Sequence, residues 1–242
     1  METKFLLILL LAFIMISGSF SARFTFQNKC PYTVWPGILN NPNVPTFPST
    51  GFKLQNGASQ SFDVQGWAGR FWARTGCTNN GRLTCATADC ASGQAACNGA
   101  GAVPPASLVE MTLNGGANRN TDFYDISLVD GFNLPLSVTP QGAGSGCKSS
   151  SCVANVNSVC PAELSVKGSD GKTIACKSAC LALNKPQYCC TGQFGKPETC
   201  PPTNYSKIFK DACPQAYSYA YDDRTSTFTC PTGANYLITF CP

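Results

Sequence analysis

Short runs in which apolar and polar positions alternate recur along the chain, each closed by a turn signal. Phe24 and Phe26 alternate with polar neighbours, and Tyr32 and Val34 repeat the pattern beyond the Asn28-Lys29-Cys30-Pro31 turn. A period of two sends one set of side chains to a buried face, the mark of a half-buried strand. Further runs of this kind cover residues 52–54, 61–64, 69–74, 108–113, 123–129, 136–138, 227–229 and 236–240, and Tyr217, Tyr219 and Tyr221 alternate with small residues. Asn56-Gly57, Asn114-Gly115-Gly116 and Asp130-Gly131 supply turns between them. Many short strands at this spacing predict a mainly β fold, a flattened β-sandwich or barrel.

Two stretches break the pattern. Residues 75–105 hold Cys77, Cys85, Cys90 and Cys97 with few large apolar residues between them. Such a segment cannot build a core, so cross-links must hold it. Residues 154–213 are the second cysteine-dense stretch and carry the helix candidates. Residues 173–184 are Ala/Leu-rich and stop at Asn184-Lys185-Pro186, while 205–212 form a shorter helix capped by Thr203 or Asn204. The expected organisation is a β-sandwich core from residues 22–74, 106–153 and 214–242. A small disulfide-rich lobe (75–105) and a disulfide-rich lobe with short helices (154–213) complete it.

Residues 1–21 read as a signal peptide. Lys4 precedes a twelve-residue apolar run from Phe5 to Ile16, and small residues follow, with cleavage expected between Ser21 and Ala22. No other apolar stretch reaches membrane length, so no transmembrane segment is expected. All 16 cysteines follow that point. An even, dense set in an exported chain reads as eight disulfides.

The chain has no histidine. That excludes a Ser-His-Asp triad and a Cys-His pair, and it leaves no ligand set for a metal. Neither metal nor cofactor is expected, and any catalysis must rest on carboxylates. Only 12% of residues are charged and the net charge is +4, with no Lys/Arg cluster, which gives no case for nucleic acid.

Four acids lie close in sequence: Glu110, Asp122, Asp125 and Asp130. Composition alone leaves two readings open, solvated strand and turn positions or an acidic cleft able to act on a glycosidic bond. Asp125 and Asp130 point to opposite faces of one regular strand, so they share a cleft only if the strand ends before Asp130. Asn204-Tyr205-Ser206 is an N-glycosylation sequon at the start of the second helix.

The stretch Gly81-Arg-Leu-Thr-Cys85-Ala-Thr-Ala-Asp89-Cys90-Ala-Ser-Gly-Gln-Ala-Ala-Cys97 resembles the signature of the thaumatin-like proteins, pathogenesis-related family five. Leu83 departs from that pattern. The start at Ala22-Arg-Phe-Thr-Phe-Gln-Asn-Lys-Cys-Pro-Tyr, the segment Asp122-Phe-Tyr-Asp-Ile-Ser-Leu-Val-Asp-Gly-Phe-Asn and the ending Phe240-Cys-Pro are similar to the same family. The resemblance is to the large sixteen-cysteine plant form, and is nearest to fruit members, which are often allergens. It implies the pairs Cys30–Cys241, Cys77–Cys85, Cys90–Cys97, Cys147–Cys230, Cys152–Cys213, Cys160–Cys176, Cys180–Cys189 and Cys190–Cys200.

The resemblance also implies an interlobe cleft lined by Arg70, Glu110, Asp125, Asp130 and Asp222, with the adjacent Asp223 as the alternative to the last. Glu110 is then the candidate general acid, with Asp125 or Asp130 holding water or stabilising charge. Phe123, Tyr124 and Phe132 are candidates for stacking on sugar rings. The segment from Glu110 to Asp125 is longer than the family spacing, so the hairpin over residues 114–120 is expected to be extended. The implied function is that of a monomeric, antifungal plant defence protein, secreted to the apoplast or vacuolar, that binds fungal cell-wall β-1,3-glucan. Whether it also has weak endo-β-1,3-glucanase activity stays open. The alternative is a non-catalytic protein that perturbs membranes or inhibits a xylanase or amylase.

Overall fold

The computed structural model describes residues 21–115, 120–144 and 146–242. The expected signal peptide lies outside them save for Ser21, as does the middle of the hairpin expected over residues 114–120.

In chain order the described strands are β1 (Ala22–Asn28), β2 (Trp35–Asn40), β3 (Ser59–Val64), β4 (Ala68–Arg74), β5 (Thr78–Asn79), β6 (Leu83–Thr84) and β7 (Leu108–Gly115). They continue as β8 (Thr121–Ser127), β9 (Leu136–Gln141), β10 (Ser150–Cys152), β11 (Ser165–Lys167), β12 (Thr173–Cys176), β13 (Phe228–Pro231) and β14 (Asn235–Phe240). The helices are short: α1 (Ala179–Leu183), α2 (Pro186–Cys189), α3 (Asn204–Ala212) and α4 (Asp223–Ser226). Ten strands make two five-stranded sheets, ordered β10-β9-β14-β1-β3 and β13-β8-β7-β4-β2. Neighbours in both are antiparallel, except that β1 runs parallel to β14.

The alternation along β1 sets the inner face. Ala22, Phe24, Phe26 and Asn28 are buried while Arg23 is exposed. From the opposite sheet Phe71 answers with ring centroids 5.3 Å from Phe24 and 5.0 Å from Phe26, and Trp67 stacks on Phe71 at 4.6 Å. Offset and edge-to-face contacts of this kind fill the space between two sheets with large rigid rings.

β4 is buried on both faces. Phe71 and Ala73 join the core, whereas Trp72 packs outward against Ala88, Cys90, Cys97, Ala106 and Leu108. Gly37 on β2 makes room, since a Cβ there would sit 2.3 Å from the Trp72 ring. Arg74, fully buried, donates to the carbonyls of Trp35, Gln94 and Ala95 and so ties β4 to the cysteine-rich segment.

The sixteen cysteines form eight disulfides: Cys30–Cys241, Cys77–Cys85, Cys90–Cys97, Cys147–Cys230, Cys152–Cys213, Cys160–Cys176, Cys180–Cys189 and Cys190–Cys200. In the segment after β10 the helix expected over residues 173–184 is only half formed. Its first part is β12, paired with β11, because Phe132 exchanges backbone hydrogen bonds with Cys176 and the Cys160 bridge fixes that edge. Helix begins at α1, capped by the Ser178 side chain. α3 is capped by Thr203, whose hydroxyl accepts from the Ser206 amide while the Ser206 hydroxyl accepts from the Thr203 amide. The tyrosine alternation at 217–221 makes no strand. Tyr217 alone docks on the end of β8, its N–H donating to the Ile126 carbonyl.

Candidate active cleft on the outer face of the second sheet

Strand parity brings three of the expected residues into one row. The core takes Phe71 from β4, Val109 and Met111 from β7, and Tyr124 and Ile126 from β8. The alternate positions therefore face outward: Arg70, Glu110 and Asp125. Register then aligns them, because Arg70 lies opposite Glu110 and Glu110 lies opposite Asp125. Side chains directly opposite on adjacent strands have Cβ atoms about 4.5–5.5 Å apart, so each member of the row acts on the next.

Asp130 joins from a turn. β8 ends at Ser127, and Gly131 follows with φ near +90°. A side chain at Gly131 would strike the Cys176 carbonyl at 2.5 Å, so glycine is required where the chain turns beneath β12. The cleft, with a volume of about 440 Å³, is lined by Arg70, Glu110, Asp125, Asp130, Tyr217 and Asp223, among others.

Asp223, not Asp222, is therefore the acid of that pair in this cleft. The Asp222 carboxylate is turned away and fully engaged, with Lys210 at 2.9 Å and the Ser218 amide and hydroxyl donating to it at 3.0 and 2.8 Å. Asp223 accepts from the Tyr217 hydroxyl at 2.7 Å. Tyr217, which sequence reasoning did not single out for the site, thus bridges the cleft wall to its acid. The one available signal was its place in the alternating 217–221 segment.

The aromatic candidates lie elsewhere. Tyr124 and Phe132 are buried in the core, since Tyr124 has the opposite parity to Asp125. Phe123 shares the parity of Asp125 but lies against Gly115, towards the far end of the hairpin. Asn204 is exposed at the first turn of α3.

Burial and mutual repulsion set the proton affinities. The Asp125 carboxyl is pushed up to about 8, first by burial, then by the charges of Glu110 and Asp223. One of its oxygens is buried and accepts no hydrogen bond from the protein. Glu110 is also raised, chiefly by burial, with Arg70 opposing and Asp130 adding to the shift. Near neutral pH Asp125 therefore keeps its proton, while Glu110 is raised by burial against the opposing charge of Arg70. A buried, protonated carboxyl beside a second acid is equipment for acid–base chemistry.

Comparisons with known proteins agree with this architecture. The model of the Thaumatin family matches residues 28–242. Thaumatin-like protein 1 of Pyrus pyrifolia is 63% identical over 229 residues, covering 93% of each chain. A Prunus avium protein named glucan endo-1,3-beta-glucosidase is 58% identical over 235 residues, covering 96% of this chain and 95% of its own. Among solved structures, a laminaripentaose-producing beta-1,3-glucanase in complex with laminaritetraose shares the fold at 12% identity. Its TM-score is 0.62, with 92% of this chain and 99% of that one covered.

Proposed function

The chain belongs to the thaumatin family, and from that premise we propose that it is a secreted plant defence protein that binds β-1,3-glucan of fungal cell walls in the acidic cleft. The observation that carries the reading is the Arg70–Glu110–Asp125 row at the cleft floor, set by strand register. The name of the Prunus avium relative supports the same substrate class. Eight disulfides suit an extracellular setting, and among the described residues no helix is long and apolar enough to cross a membrane.

If the bound glucan is cleaved, the proton inventory favours Asp125 as donor to the leaving oxygen. That reverses the role expected for Glu110 from sequence. Asp125 keeps its proton near neutral pH, while Glu110, raised by burial to a lesser extent, has the opposing charge of Arg70 across the strand pair. Glu110 would then activate water or stabilise the oxocarbenium-like charge.

The test is release of oligosaccharides from a linear β-1,3-glucan by the oxidised protein, followed by mass spectrometry. Release that falls at least a hundredfold in both Asp125→Asn and Glu110→Gln is the expected result for a hydrolase. Retained binding to insoluble glucan without release would leave a binding protein. Absence of both binding and release would overturn the reading.

A further inference from the structure

A larger groove of about 690 Å³, which shares no lining residue with the acidic cleft, is bounded by Tyr32, Thr75, Asn133, Asn155, Asn157 and Thr173, with Cys77 and Cys241 at its border. Among the described residues no charged side chain lines it. We propose that this groove is a second binding site, for a neutral oligosaccharide, separate from the acidic cleft and independent of its function.

The chemistry follows from the lining. A sugar hydroxyl both donates and accepts, and it is matched by amides and hydroxyls rather than by ions. A charged ligand would enter this groove with no opposite charge to meet it. The lining offers hydroxyls and amides, one of them with a free acceptor. The Asn133 amide donates to Thr87 Oγ1 at 2.9 Å, and the Thr87 and Thr75 hydroxyls share a 2.7 Å hydrogen bond in which either can donate. Asn157 donates to the Asn133 carbonyl, but its own Oδ1 is buried and accepts nothing.

Tyr32 supplies an apolar platform. The residue is 44% exposed, while its carbonyl is held by the Asn28 amide at 2.8 Å. An exposed aromatic residue on a pinned backbone, beside hydroxyl and amide groups, suits the mixed apolar and polar faces of a pyranose. The Cys30–Cys241 and Cys77–Cys85 bridges fix the border in advance of binding, which lowers the ordering cost.

The experiment is a backbone amide shift titration of the ¹⁵N-labelled, oxidised protein with laminarihexaose, cellohexaose and chitohexaose in separate runs. The expected result is that at least one sugar moves the amides of Tyr32, Thr75 and Asn157. Its affinity should fall at least tenfold in Tyr32→Ala, whose thermal unfolding stays that of the parent, and should be unchanged in Asp125→Asn. Groove shifts without cleft shifts would support this site and count against the glucan reading of the cleft. Shifts confined to the neighbourhood of Glu110 and Asp125 would overturn this site and leave the cleft reading intact. No groove shift with any of the three sugars overturns it as well.

Discussion

The two sheets and the two cysteine-rich segments solve the same problem by opposite means. Between the sheets, Phe24, Phe26, Phe47, Trp67 and Phe71 bury one another, each within about van der Waals reach of several others. In residues 75–105 the buried apolar set is Leu83, Ala88, Cys90 and Cys97, most of it resting on Trp72 of β4 rather than on itself. Residues 154–213 carry three complete disulfides of their own and bury few large side chains. Apolar area holds the first region by favouring the native state, and cross-links hold the second by limiting the unfolded one.

Removing cross-links should therefore act differently in the two regions. The Cys30–Cys241 bridge joins the two ends of the sandwich across 211 residues, and Cys90–Cys97 closes only 7. In the chain-entropy model the first is worth about 5 kcal/mol and the second about 2 kcal/mol. Cys30→Ser with Cys241→Ser is expected to lower the unfolding temperature of the whole protein. Cys90→Ser with Cys97→Ser should instead admit protease within residues 75–105 while the sheets melt cooperatively near the parent temperature. A fall in global stability equal to that of the terminal pair would erase the distinction.

Single side chains give the next contrast. Phe71 is fully buried and meets four other rings. Phe71→Ala is expected to cost about 3–5 kcal/mol by transfer plus cavity. Phe194, half-buried in the second lobe, should lose less than about 1 kcal/mol on the same change. Denaturant unfolding under non-reducing conditions measures both, and comparable losses would mean that the lobe has a core of its own.

This contrast also decides what could be read from the sequence. Alternation announces an apolar core, so β1, β7, β8 and β14 were visible as patterns. In the lobes no period exists, and local composition misled: residues 173–176 look helical but pair as β12, because a distant backbone partner, Phe132, outweighs propensity. The cleft divides along the same line. Parity within β8 fixes Asp125 outward and Tyr124 inward, so the inward place of Tyr124 could have been read from the sequence. The alignment of Arg70 with Glu110 needs the register of β4 on β7, which no local signal carries. Asp222 and Asp223 are neighbours, and only the partners of each, Lys210 for one and Tyr217 for the other, separate them.

The cleft is where the comparison can be sharpened most finely, because Asp125 comes from a sheet and Asp223 from the chain that returns after the second lobe. The Asp125 carboxyl is raised to about 8 by burial, Glu110 and Asp223, while an unfolded chain gives it up near pH 4. The native state thus binds a proton that the unfolded state has released across that interval. The associated stability is complete below about pH 4 and declines as pH rises towards 8. Asp125→Asn, neutral at every pH, should match the parent below about pH 4 and exceed it by about 5 kcal/mol near pH 8. That corresponds to a rise of about 10–20 °C in unfolding temperature. Asp223→Asn removes only one of the raising charges, so it should move the midpoint of this dependence downward by less. Parallel stability curves for parent and Asp125→Asn at all pH values would sink the protonated carboxyl. A midpoint unmoved by Asp223→Asn would mean that the returning segment shapes the cleft without setting its charge.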